Sequence, residues 1–160
     1  MSQESPDLEY VGFWPRLGAS LVDGILMFMI TMLLVAVFFG KAMEEDYVPG
    51  PMYLVLSYVL PALSVILLWF KFGATPGKMA VKAVVVDART GATPGIGQCI
   101  VRYVGYIAST LTLGIGYLWI AIDARKQGWH DKMAGTVVVR LKAGAITPVQ
   151  FDKPHSEVRG

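Results

Sequence analysis

From Gly12 onward the chain alternates long apolar blocks with short polar ones. Gly24 to Gly40 carries no charge, and Pro15 to Asp23 adds leading turns that bring it to the roughly 20 residues a helix needs to cross about 30 Å of hydrocarbon. Pro15 suits the first turn of such a helix, where a missing N–H costs no bond. A second block, Met52 to Phe70, is interrupted only by Pro61, which a spanning helix accommodates as a kink. Both blocks are expected to be transmembrane helices.

The third block, Tyr103 to Ile122, is long enough to span, yet it runs into the basic stretch DARKQGWHDKMAGTVVVRLK. A single crossing would carry those charges to the far side. A turn at Leu113-Gly114-Ile115-Gly116 would instead make two limbs of about 11 and 6 residues, or about 16 and 9 Å, neither able to cross alone. Such a re-entrant hairpin is tolerated where protein covers the broken backbone. Strand signals favour it. Ala83 to Val86 is a β-branched run closed by a turn through Gly91, and Gly135 leads into Thr136 to Leu141. Two isolated strands gain by pairing, and pairing puts both on one face of the membrane.

Composition agrees with this pattern: 54% of the 160 residues are hydrophobic and 16% charged, against about 25% charged in soluble domains. Mean hydropathy is +0.53. The expected fold is an all-α membrane protein with two full transmembrane helices, a third span or re-entrant helical hairpin, and a small cytoplasmic two-stranded β element. Its expected organisation is an N-terminal tail over 1–9, a membrane domain over 10–141 and a polar tail over 142–160. The acidic start (Glu4, Asp7, Glu9), the long apolar core and the lack of an A-x-A site argue against a cleaved signal peptide. Between the first two blocks Lys41 faces Glu44, Glu45 and Asp46, whereas Lys71, Lys78, Lys82, Arg89 and Arg102 follow the second. The positive-inside rule then places the N-terminus and the middle loop in the cytoplasm. A net charge of +2, without basic runs interleaved with aromatics, gives no case for nucleic acid. Cys99, the single cysteine, reads as an apolar filler.

Charge inside the apolar blocks narrows the chemistry. Asp23 follows Arg16 by seven residues, two helical turns, in a stretch otherwise suited to lipid. A carboxylate entering hydrocarbon costs about 2.5 to 3.5 kcal/mol on insertion scales, so by default it faces protein or water and marks a working site. Lys78, Arg102, Asp123 and Asp131 are its candidate partners. Plainer roles exist for each: a buried polar network that fixes helices, Arg16 snorkelling to lipid phosphates, Lys78 anchoring at the interface, and Asp131 capping a turn. Trp69 and Trp129 read as part of an interfacial aromatic belt.

Three other motifs carry little. GATPG occurs at Gly73 to Gly77 and again at Gly91 to Gly95, and Thr-Pro-Gly suits a tight turn. With Lys78 the first copy invites a phosphate-loop reading, but it is one residue short, has Met79 where Ser or Thr is needed, and precedes a strand. His130-Asp131 lacks further ligands at metal spacing. No catalytic constellation, cofactor motif or metal site is expected, and the chain is not expected to be an enzyme.

In order along the chain stand FWPRLGASLVDG, FGATPGKMAVKAVVVDARTG, the arginine of IVRY and DARKQGWHDKMAGTVVV. This succession resembles the RDD family of small bacterial membrane proteins, named for one arginine and two aspartates. The resemblance runs from about Tyr10 to Leu141 and places the family arginine on Arg16 and its aspartates on Asp23 and Asp131. It implies a multi-pass protein of the bacterial inner (plasma) membrane, and some members are associated with exchange of sodium or related cations for protons. On that expectation Asp23 is the shared carboxylate for H+ and Na+, Li+ or K+, Arg102 or Arg16 tunes it, and Asp131 closes the cytoplasmic side. With so few helices a transporter would be a homo-oligomer. The alternative is a scaffold or assembly partner of another membrane protein.

Overall fold

A computed structural model describes residues 3–40, 50–141 and 148–151. The acidic loop around Glu44 to Asp46 and the chain beyond Phe151 lie outside the described residues. In order the elements are strand β1 (Gln3–Tyr10), helix α1 (Phe13–Phe39), a rod made of α2 (Pro51–Leu54), a π-helical turn (Val55–Val59) and α3 (Leu60–Phe72), then α4 (Pro76–Ala80) and β2 (Val84–Asp87). They are followed by α5 (Ile96–Leu111), α6 (Ile115–Ile122), α7 (Trp129–Ala134), β3 (Thr136–Leu141) and β4 (Pro148–Phe151).

α1 and the rod, 27 and 22 residues long, are each long and apolar enough to cross a membrane. Ile25, Phe28, Leu33 and Val37 of α1 all point outward, uncovered by the rest of the described chain. A face of that size is what lipid or a partner covers. The rod absorbs Pro61 as expected, and the structure shows how. Pro61 has no N–H to give the carbonyl four residues back, and the turn just before it widens so that Leu60 N–H reaches Val55 O, five residues back. Pi turns of this kind let a helix continue past such a defect.

The third apolar block is broken as its glycines suggest. Leu113 and Gly114 take φ of +54° and +83°, and α5 and α6 meet at a bend of 104°. Their 16 and 8 residues exceed the expected limbs. The limbs are held together by Tyr117 Oη donating to Tyr106 O at 2.9 Å, and by Gly116, where a Cβ would collide with Ser109 Oγ.

The expectation of an all-α chain with a two-stranded element needs correction. β2 and β3 do pair antiparallel, Val84 opposite Val139 through Asp87 opposite Thr136, but they belong to a four-stranded sheet in the order β2-β3-β1-β4. Residues expected to form the two tails supply β1 and β4. The acidic character of the first segment concealed a strand because its charge is matched across the ladder: Glu9 stands opposite Arg140, is buried, and accepts from Arg140 Nε at 2.5 Å. Below the sheet, Val11, Trp69, Ala83, Val85, Cys99 and Val138 form the main core cluster. β1 precedes α1, β2 follows the rod, and β3 follows the hairpin. The sheet therefore gathers one end of every apolar segment.

Candidate functional site

Two carboxylates organise the interior, Asp131 fully buried and Asp23 partly so. Asp131 lies in the first turn of α7, where its Oδ2 accepts the Gly128 N–H at 3.0 Å, and its residue is fully buried. Arg16 Nη1 donates to the same oxygen at 2.5 Å, while Arg16 Nε holds Val11 O at 2.9 Å. Arg102 Nη1 donates to Asp131 Oδ1 and, at 2.7 Å, to Thr136 Oγ1. One carboxylate thus ties α1, α5 and α7 together. Burial by itself would raise the pKa of Asp131, but the Arg102 and Arg16 guanidiniums outweigh it and hold the group well below the usual carboxylate range.

Aromatic rings complete this clasp. The Arg102 guanidinium carbon sits 5.2 Å from the Trp69 ring centre and 5.7 Å from that of Tyr106, within cation–π range. His130 stacks on Tyr106 at 4.1 Å. α5 comes this close to α7 because Gly105 has no side chain: a Cβ there would lie 2.6 Å from His130 Cα. Burial pushes the His130 pKa down to about 3, so its imidazole is neutral at neutral pH.

The second carboxylate, Asp23, lies two turns further along α1. Its Oδ2 accepts from Thr75 Oγ1 at 2.5 Å and its Oδ1 from Gly77 N at 2.6 Å. Lys78 Nζ stands 4.0 Å away and also contacts Thr75 Oγ1 at 3.4 Å. The first GATPG segment explains the docking. Gly73 ends α3 at φ +66°, Pro76 opens α4, and a Cβ on Gly77 would meet Ala19 O and come within 2.9 Å of the Asp23 carboxyl carbon. Only glycine lets this turn seat on α1. A cavity of about 460 Å³ opens beside the pair, lined by Ser20, Asp23, Trp69, Thr75, Lys78 and Tyr106 among others. Trp69 separates the two centres, with Lys78 Nζ 5.6 Å from its ring centre.

Five of the six candidate residues are therefore brought into this interior, and of the candidate partners for Asp23 it is Lys78 that stands beside it. Neither arginine pairs with Asp23; both turn to Asp131, and Lys78 takes Asp23. The expectation that Arg102 or Arg16 would sit beside Asp23 is corrected accordingly. Snorkelling for Arg16 and interfacial anchoring for Lys78 do not hold, since the residues are only 5% and 4% exposed. Asp123 stands apart: it accepts the Arg125 and Gln127 N–H groups at 3.1 Å and pairs with Lys132 at 2.5 Å, organising the turn after α6. Thr75, Trp69, Tyr106 and His130 were missed as site residues. Trp69, at 2% exposure, is core rather than belt. Tyr106 had a local signal, four residues after Arg102 on one helix face. Among the described residues no group of three His, Cys, Asp or Glu side chains could hold a metal ion.

Residues 10–135, which carry both carboxylate centres, match the RDD family. The chain belongs to that family. It is 32% identical over 146 residues to the uncharacterized protein YxaI of Bacillus subtilis, covering 80% of this chain and 95% of that protein. It is 31% identical over 143 residues to the uncharacterized membrane protein YteJ of the same organism, covering 83% and 82%. An uncharacterized protein of Rickettsia prowazekii is 39% identical over 72 residues, which are 45% of this chain and 39% of the Rickettsia protein's length. No solved structure matches the chain. In this RDD-family membrane protein Arg16, Asp23 and Asp131 are thus divided between two centres, Arg16 with Asp131 and Asp23 with Lys78 on the cavity.

Proposed function

We propose that this RDD protein is a multi-pass protein of the bacterial plasma membrane that exchanges a monovalent cation, Na+, Li+ or K+, for protons at Asp23. The observation that carries the reading is the placement of Asp23: a carboxylate on a helix apolar enough to span, facing an open cavity, with a lysine held at 4.0 Å rather than in a tight pair. A proton, Lys78 and an entering cation compete for the same oxygens, and competition for one carboxylate is the minimum exchange requires. Ser20, Thr75 and Thr110 line the same cavity and offer the neutral oxygens that hard cations accept. Asp131, saturated by two arginines, serves as the fixed clasp against which the Asp23 side works.

The sheet supports a definite topology. Strands that share a sheet lie on one side of the bilayer, so β1 and β2 require an even number of crossings between them, and α1 with the rod supplies two. Between β2 and β3 the count is zero, since α6, with 8 residues, reaches only about 12 Å of a roughly 30 Å core. On this reading α5 and α6 form a re-entrant hairpin, and the basic middle segment places the sheet and the N-terminus in the cytoplasm. Two spans and a hairpin enclose little interior, so the transporting unit is a homo-oligomer.

Reconstitution in liposomes with an interior pH dye tests the exchange. Pulses of sodium, lithium or potassium should drive proton flux in the wild type and none in Asp23→Asn at matched incorporation. Full exchange by a monomer would sink the oligomeric part. Silence from both proteins, with the fold intact, would favour a scaffold that assembles another membrane protein. The observation behind that second reading is the outward apolar face of α1, and its signature is co-purification of one defined partner, weakened by changes on that face.

A further inference from the structure

A second cavity, of about 420 Å³, lies on the other side of Tyr106, between α1 and the α5–α6 hairpin. Its walls are mostly apolar, from Leu17, Leu113, Leu118 and Ile120, but Arg16 and His130 also line it. These two residues are 5% and 1% exposed, and each carries a nitrogen without a hydrogen-bond partner, Arg16 Nη2 and His130 Nδ1. Native sites rarely keep buried polar atoms unpaired without an occupant or a role.

Charge indicates what the occupant is. Arg16 and Arg102 carry two positive charges against the single negative charge of Asp131. His130 is neutral, and Asp23 and Lys78 cancel one another. The Arg16–Asp131–Arg102 cluster therefore holds one uncompensated positive charge, and Arg16 is the member of it that lines the cavity. An anionic oxygen group at Arg16 Nη2 would satisfy both that unpaired donor and the charge.

Geometry indicates its shape. Arg16 stands in the first turns of α1, next to the sheet, while Leu113 caps the far end of α5 and is 94% exposed. From the level of Arg102 to Leu113 is 11 residues, about 16 Å along the helix. A molecule in this cavity would have its polar head at Arg16 and His130 and an apolar body running toward the hairpin tip.

We infer that the cavity between α1 and the hairpin binds an amphiphile with an anionic oxygen head, a phosphate or carboxylate, and an apolar chain. Arg16 receives the head, beside the neutral ring of His130, and Leu17, Leu113 and Leu118 line the chain. The site shares Ser20 and Tyr106 with the Asp23 cavity but does not depend on exchange at Asp23.

Native mass spectrometry of the purified full chain in detergent tests this, with dioleoyl phosphatidylglycerol, dioleoyl phosphatidylcholine, oleate and inorganic phosphate as separate arms. Leu118→Trp and Leu17→Trp fill the cavity from side chains that are already exposed, leaving Arg16, Asp131 and His130 untouched. Thermal unfolding without lipid verifies the fold of each. Phosphatidylglycerol should be retained about tenfold over phosphatidylcholine, a difference of the size one neutralised charge provides, and both variants should abolish that preference. Retention of oleate at the phosphatidylglycerol level would assign the head to any anionic oxygen group; its loss would assign it to phosphate. Equal retention of the two phospholipids, or binding of inorganic phosphate with no retention of either acidic amphiphile, would overturn the inference. So would a preference that survives both blocking variants, which would belong to the basic surface near the sheet.

Discussion

Arg16 in the first turns of α1 and Asp131 in the first turn of α7, 115 positions apart in sequence, are joined at 2.5 Å with almost no solvent access to either. Arg102 approaches the same carboxylate from α5. The helices that carry them have no other charge pair among the described residues tying α1 to the C-terminal half so directly, and this one contact governs the mechanical expectations below.

Removing the carboxylate should be far costlier than its count as one residue suggests. Asp131→Asn leaves two buried guanidiniums facing a neutral amide and should destabilise the chain by about 3 to 5 kcal/mol. Asp123→Asn, whose partner Lys132 is 46% exposed, should cost at most about 1 kcal/mol. Chemical unfolding of both variants in detergent compares them, and equal costs would show that Asp131 is not the clasp.

Two glycines on one helix should behave oppositely. Gly105→Ala drives a methyl into the His130 backbone and Cβ, which would lie at 2.6 and 2.9 Å, and should cost about 1 to 3 kcal/mol. Gly97→Ala meets nothing within 4 Å and should be neutral or stabilising by up to about 1 kcal/mol. Melting midpoints of the pair decide whether close approach of α5 to α7 is the reason for Gly105.

Acid should weaken the fold through His130. Its pKa falls from 6.5 to about 3 on folding, because burial disfavours the imidazolium. Between those values the unfolded chain binds a proton that the folded chain refuses, so stability declines as pH is lowered from about 6.5 toward about 3. Asp131, held below its ordinary 3.8, adds its own loss from about that pH downward. His130→Phe keeps a ring on Tyr106 and removes the titration. Unfolding midpoints at pH 7, 6 and 5 (about one pH unit apart, all above the carboxylate range) should fall in the wild type and stay nearly level in the variant. Parallel declines would assign the slope elsewhere.

Deleting β1 should expose one edge of the sheet and leave the other paired. Val139 and Arg140 lose partners Tyr10 and Glu9, while Val84 to Asp87 keep theirs on β3. Hydrogen exchange should accelerate at Arg140 and remain slow at Val85. Uniform loss of protection would mean that β1 nucleates the whole sheet.

Much of this was legible beforehand, and the failures have identifiable causes. The two helices long and apolar enough to span, the break at Leu113-Gly114 and the β2–β3 pairing followed from block length, glycine placement and β-branched runs, all local properties. β1 escaped because its acidic residues break the alternation by which strands are recognised, and Arg140, which neutralises Glu9, lies 131 positions away. The roles of Trp69 and Thr75 escaped for a similar reason. A tryptophan near a helix end reads as interfacial, and a threonine in a Thr-Pro-Gly turn reads as a turn residue, until another helix is seen to place Arg102 or Asp23 against it.

The amino-acid sequence by itself determined which segments are long and apolar enough to meet hydrocarbon, which charges need an explanation there, and that the third apolar block is broken. Those are consequences of helix rise, the cost of charge in lipid and the backbone freedom of glycine. Only the tertiary structure decided which cation each aspartate takes, that one carboxylate is saturated while the other faces a cavity, and that the tails join the sheet. Those outcomes depend on pairings as distant as Gln3 with Phe151, and no periodicity along the chain encodes a distance across it.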